Sequence, residues 1–149
     1  MPSYTEQENK IIIIGNGMVS HRFCETYRQT KADSTPITIY GEEPYFAYDR
    51  VHLSDHFYGK SFRDLQISSQ EWYLKNNIHV HSNEKVVHVD TRSSTITTES
   101  GQKDEYKTLI FATGSNPYVP PIQGIEDVKE VFYYRNFNDL IKIRHATTK

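Results

Sequence analysis

An α/β fold built on a parallel sheet is predicted by three observations. Ile11–Ile14 is an uninterrupted β-branched run with no alternating polar residue, the pattern of a strand covered on both faces. It runs into Gly15-Asn16-Gly17, and a helical pattern follows at once. Further apolar strand-like runs then alternate with helical ones, as in an open, Rossmann-like sheet.

The elements follow in order. The helix is predicted from Met18 to about Gln29, with Val19, Phe23 and Tyr27 along its inner face. The segment 31–36 reads as a loop, and Ile37–Tyr40 as a second strand broken by Gly41 to Pro44. Residues 45–60 are aromatic and irregular. Leu65–Ile67 reads as strand or loop, followed by a helix with Ser68 or Ser69 as its N-cap. Residues 78–82 form a third strand. Residues 85–90 and 94–100 read as an antiparallel excursion, separated from the apolar strand Thr108–Phe111 by a polar connection, SGQKD. Pro117, Pro120 and Pro121 exclude helix after that strand, and a short helix closes the chain near residues 136–145.

The 149 residues suffice for one domain with a core. A net charge of −2 gives no basic surface for nucleic acid, and no apolar run is long enough for a membrane span. Cys24 is the only cysteine, which excludes an internal disulfide and a CxxC pair and points to a reducing, cytoplasmic setting. Residues 1–9 read as a disordered N-terminus.

Gly15, Gly17 and Ser20 occupy the three positions of G-x-G-x-x-G between a strand and a helix. In that motif the first glycine makes the tight turn and the second lets a pyrophosphate approach the backbone. The third small residue lets helix and strand pack closely. Serine departs from glycine or alanine there. The other reading is a plain strand–turn–helix. Glu42 and Glu43 follow the second strand, where a carboxylate binds an unphosphorylated ribose, though further from Gly15 than the usual spacing of about 20 residues. Two solvated turn glutamates are the alternative. His79 with His81, and His52 with His56, have metal-like spacing but no visible third ligand, so no metal site is assigned. The aromatic residues from Tyr45 to Tyr58 read mostly as packing.

The strings IIIIGNGMVSHRF, ITIYGEEPYFAYDRVHLSDHF, FATGSNPYVPPIQG and VFYYRNFNDL resemble, in order and spacing, FAD-dependent pyridine nucleotide-disulphide oxidoreductases. The likeness is greatest to the N-terminal FAD-binding region of the large subunit of NAD(P)H-dependent assimilatory nitrite reductases. It implies that Gly15, Asn16, Gly17, Met18 and Ser20 cradle the FAD pyrophosphate. It also implies that Glu42, with Glu43 as a substitute, binds the adenosine ribose. Arg50 would lie against adenosine or pyrophosphate, Val87 would offer its backbone to adenine, and Ala112, Thr113 and Gly114 would close over the cofactor. No catalytic residue is assigned.

Two departures bear on function. Asp55 follows Ser54 where many relatives carry a lysine, and the redox cysteine pair of disulphide reductases is missing, Cys24 reading as packed. Residues 10–149 are thus expected to form the N-terminal part of a FAD-binding domain, as a fragment or truncated product. The NAD(P)H domain, later FAD half, Fe–S cluster and sirohaem would belong to parts beyond it. Such a chain would be inactive alone, and would tend to self-associate through an uncovered sheet edge and an uncovered part of the apolar face of IIII and LIFA. In the full-length enzyme electrons would pass from NAD(P)H through flavin to nitrite, giving ammonium. The alternatives are a rubredoxin or ferredoxin reductase-type fragment and a non-catalytic nucleotide-binding module.

Overall fold

The computed structural model describes residues 9–31 and 35–147. Most of the expected disordered N-terminus, and the middle of the loop at 31–36, lie outside them. The chain divides into two compact units, Met1–Tyr48 with Gln66–Gly114, and Asp49–Leu65 with Ser115–Lys149.

In the first unit the elements are β1 (Ile11–Ile14), α1 (Met18–Thr30), β2 (Ile37–Gly41), α3 (Gln70–Lys75), β3 (Ile78–Ser82), β4 (Val86–Asp90), β5 (Thr95–Thr98), β6 (Lys103–Glu105) and β7 (Thr108–Phe111), α2 (Phe62–Leu65) falling in the second unit. A four-stranded sheet runs β3-β2-β1-β7 with parallel pairings throughout, and β4-β5-β6 form an antiparallel sheet.

The isoleucine run is continuous because both faces are covered. Ile11 and Ile13 pack with Cys24, Ile37, Ile39, Tyr73 and Ile78 on the side of α1 and α3. Ile12 and Ile14 pack with Tyr40 and Ile96 on the side of the antiparallel sheet. Each buried isoleucine contributes roughly 1.5–3 kcal/mol. All four are buried, so the expectation of a partly uncovered IIII face does not hold; in β7 Leu109 and Ile110 are half-buried and Phe111 is 65% exposed. Lys10 Nζ pairs with Asp104 Oδ1 at 2.7 Å and the Tyr40 hydroxyl donates to Asp104 Oδ2 at 2.8 Å. These contacts tie β6 to β1 and β2.

The connection at 103–105 is a strand rather than a separator. Its charged residues hide an alternation in which Asp104 turns inward to Lys10 and Tyr40 while Lys103 and Glu105 stay in solvent. The inner face of α1 also differs from expectation. Ser20, His21 and Cys24 are the buried residues, Phe23 and Tyr27 flank the core, and Val19 is 70% exposed. Ser69 caps α3, accepting from the Trp72 N–H at 3.3 Å.

In the second unit, Leu53–Tyr58 is a 3-10 segment, and α2 (Phe62–Leu65) replaces the strand or loop expected at Leu65. α4 (Phe137–Thr147) begins with a reciprocal cap: Asn136 Oδ1 accepts from the Asp139 N–H at 2.9 Å, and Asp139 Oδ2 from the Asn136 N–H at 3.2 Å. Phe137 packs on Phe62 and His56, with ring centroids 4.5 and 5.2 Å away.

Candidate functional site

The register sets Ile14, Tyr40 and Phe111 level across three neighbouring parallel strands. The chain therefore leaves β1, β2 and β7 side by side at their carboxyl ends, where open α/β sheets bind ligands. Gly15 takes φ +108° and its N–H donates to the Tyr40 carbonyl at 2.8 Å. The Ala112 N–H donates to the Ile14 carbonyl at 2.8 Å, so the end of β7 closes directly against this turn.

Gly17 caps α1 in an extended conformation, with no side-chain cap and no acidic residue in the first turn. The first N–H groups of α1 are left for another acceptor, and the helix dipole favours an anion. A Cβ built on Gly17 would meet nothing within 4 Å, so the turn is open on that side. Ser20 satisfies the close-packing position: it is 1% exposed, and its hydroxyl donates to the Gly17 carbonyl at 2.8 Å. Met18 is partly exposed beside it. This donor set fits a pyrophosphate.

The carboxylates after β2 separate. Glu42 is exposed and its Oε1 lies 3.3 Å from Lys85 Nζ. Glu43 is half-buried and accepts from the Tyr48 hydroxyl at 2.7 Å. The Glu84 N–H donates to the Gly41 carbonyl at 2.8 Å and the Asn83 N–H to the Glu43 carbonyl at 3.0 Å, continuing the β2–β3 pairing past the strand ends. Val87, 55% exposed, follows shortly on β4. Thr113 and Gly114 are exposed after Ala112. The structure thus gathers Gly15, Asn16, Gly17, Met18, Ser20 and Ala112 around one turn, with the loop bearing Glu42 and Glu43 alongside. Arg50 belongs to the second unit and is half-buried there.

Three features of the site were not legible: Gly41 lying against Asn16, the bond from Asn16 to Tyr45, and Lys85 as the partner of Glu42. Gly41 read as a strand breaker but is the last residue of β2, and a Cβ there would come within 2.6 Å of Asn16 Cβ. Asn16 Nδ2 donates to the Tyr45 carbonyl at 2.9 Å, and Asn16 Oδ1 is buried without a partner among the described residues. A buried unpaired acceptor of this kind costs about 1–3 kcal/mol. Lys85 reads in the sequence only as the start of the strand-like run 85–90. A glycine directly after an apolar strand is the one signal that could have flagged this junction.

Burial pushes the Cys24 thiol up to about 12. His81 stacks on Tyr40 at 4.7 Å, and Phe46 on Tyr73 at 5.6 Å. No helix of the described residues is long and apolar enough to cross a membrane.

The sequence profile of the pyridine nucleotide-disulphide oxidoreductase family matches residues 9–149. The large subunit of nitrite reductase (NADH) of Escherichia coli is 39% identical over 94% of this chain, which spans 16% of that protein. The nitrite reductase [NAD(P)H] of Bacillus subtilis is 36% identical over 89% of the chain, again 16% of the relative. The crystal structure of NADH:rubredoxin oxidoreductase from Clostridium acetobutylicum superposes with a TM-score of 0.75 at 29% identity, covering 91% of this chain and 35% of that one.

Proposed function

As this chain belongs to the pyridine nucleotide-disulphide oxidoreductase family, we propose that its first unit binds the ADP half of FAD in an NAD(P)H-dependent reductase of the nitrite reductase type. The 39% identity to the E. coli large subunit carries this reading. The chain spans 16% of that protein, so electron transfer from NAD(P)H to nitrite is proposed for a polypeptide of that full length.

Within this reading the N–H groups of Met18, Val19 and Ser20 donate to the pyrophosphate, and Gly17 leaves room for its oxygens. Glu42 accepts from the ribose hydroxyls, with Glu43 held back by Tyr48. Val87 contacts adenine through its backbone, and Ala112, Thr113 and Gly114 close over the dinucleotide. The bound flavin supplies the redox chemistry, and the protein supplies orientation and charge.

The test is calorimetric titration of the 149-residue polypeptide with FAD and with ADP. Both are expected to bind at one site, with competition between them. A folded polypeptide that takes up neither overturns the reading. Nitrite-dependent oxidation of NADH by the full-length protein tests the acceptor.

A further inference from the structure

Asn16 stands between the two glycines of the phosphate turn, yet its side chain leaves the turn. Nδ2 reaches the Tyr45 carbonyl at 2.9 Å, and Cβ occupies the space that a side chain on Gly41 would need, 2.6 Å from where that Cβ would lie. The Tyr45 acceptor fixes the amide orientation, since a reversed amide would set two carbonyl oxygens against each other. Oδ1 is then shut from solvent with no partner among the described residues. A residue serving only the turn would not need to carry this unpaired acceptor. The compensation is what Asn16 holds: the loop 41–45, which bears both glutamates. That loop is also braced from its other side by Asn83 and Glu84.

We infer that Asn16 is a positioning residue that couples the phosphate turn to the loop carrying Glu42, so that ADP is bound as one unit. The inference rests on the proposed nucleotide site. Two half-sites held at a fixed spacing act on a linked ligand with a high effective concentration, and that advantage is lost when one of them drifts. Glycine at position 41 is part of the device, because only a residue without Cβ lets Asn16 lie across the end of β2.

The experiment compares ADP with inorganic pyrophosphate as probes of the 149-residue polypeptide, in wild type, Asn16→Ala, Glu42→Gln and the double variant. ADP affinity is expected to fall roughly tenfold in Asn16→Ala, the order of one inter-site coupling, and pyrophosphate affinity, which draws on main-chain N–H groups that the substitution keeps, by clearly less. Glu42→Gln should add little to the ADP loss once Asn16 is gone. Asn16→Leu keeps the bulk over Gly41 and removes the buried unpaired oxygen. It also leaves the Tyr45 carbonyl without its donor; it should still fold, by circular dichroism and urea titration, and show the same split between probes. Equal losses for ADP and pyrophosphate, or losses that multiply independently in the double variant, overturn the coupling while the nucleotide site stands. A folded wild-type chain that binds neither probe overturns both.

Discussion

A Cβ on Gly15 would lie 2.2 Å from the carbonyl oxygen of Ala112, whereas a Cβ on Gly17 would touch nothing within 4 Å. The two glycines of one turn therefore do different work. Gly15 lets β1 turn beneath the end of β7 at φ +108°, a conformation that side chains rarely adopt. Gly15→Ala should cost about 3 kcal/mol or more, from backbone strain and the clash together. Gly17 is extended at φ −117°, ψ −168°, so Gly17→Val should cost no more than about 1 kcal/mol, from the poorer N-cap, while abolishing ADP and FAD retention. Urea unfolding and ligand titration of both variants separate the effects. A Gly15→Ala chain as stable as wild type would contradict the packing argument.

The neighbouring glutamates should also divide stability from binding. Glu42 has only an exposed contact with Lys85, while Glu43 accepts from the buried Tyr48. Glu42→Ala is expected to weaken ADP and FAD binding with little change in unfolding midpoint. Glu43→Ala and Tyr48→Phe should each lose about 1 kcal/mol of stability, with smaller changes in affinity. If Glu43→Ala alone impairs binding, the ribose carboxylate has been assigned one residue too early.

Much of this layout is legible in the chain. The strand Ile11–Ile14, the start of α1 at Met18, the Ser69 cap and the end of β7 at Phe111 follow from β-branched runs, glycine and proline punctuation and short polar caps. These are local signals, and each acts within a few residues. β6 escaped because its inward residue is Asp104, whose partners Lys10 and Tyr40 are distant in sequence. The contact of Asn16 with Gly41 escaped for the same reason, since it exists only once β1 and β2 pair in register. The α1 periodicity pointed to Val19 because hydropathy rewards branched residues, while the helix turns Ser20, His21 and Cys24 inward and leaves Val19 exposed.

Cys24 offers a probe of that packing. It is buried against the isoleucines of β1 and β2, and burial holds its thiol near 12. At pH about 8 the native chain should react with iodoacetamide far more slowly than a free thiol, whose pKa is about 8.5. Modification should proceed at the rate of local opening and become fast in urea, by mass spectrometry. Rapid labelling of the folded chain would show that α1 does not seal the sheet. Cys24→Ser should cost about 1–3 kcal/mol by burying a hydroxyl without a planned partner.

His21 should give the fold a pH dependence of its own. Its Nδ1 lies 3.0 Å from the Tyr73 hydroxyl of α3, its Nε2 3.6 Å from Glu25, and its ring 4.9 Å from that of Trp72. Burial lowers its pKa below the ordinary 6.5; Glu25 opposes this by charge and hydrogen bond, and Arg22 adds to the lowering. The unfolded chain therefore binds a proton at His21 before the folded chain does. Stability from this group is fully present above 6.5 and is lost as pH falls through the folded value. The carboxylates with lowered values, Asp49, Asp64, Glu84 and Asp90, lose their contributions at lower pH, below their ordinary 3.8 to 4.5. Thermal midpoints measured from pH about 7.5 down to about 5 should fall in wild type. His21→Gln keeps an acceptor for Tyr73 and cannot titrate, so its midpoint should be flatter across the same interval. An identical slope in both proteins would mean that another group, not the histidine between α1 and α3, carries the dependence.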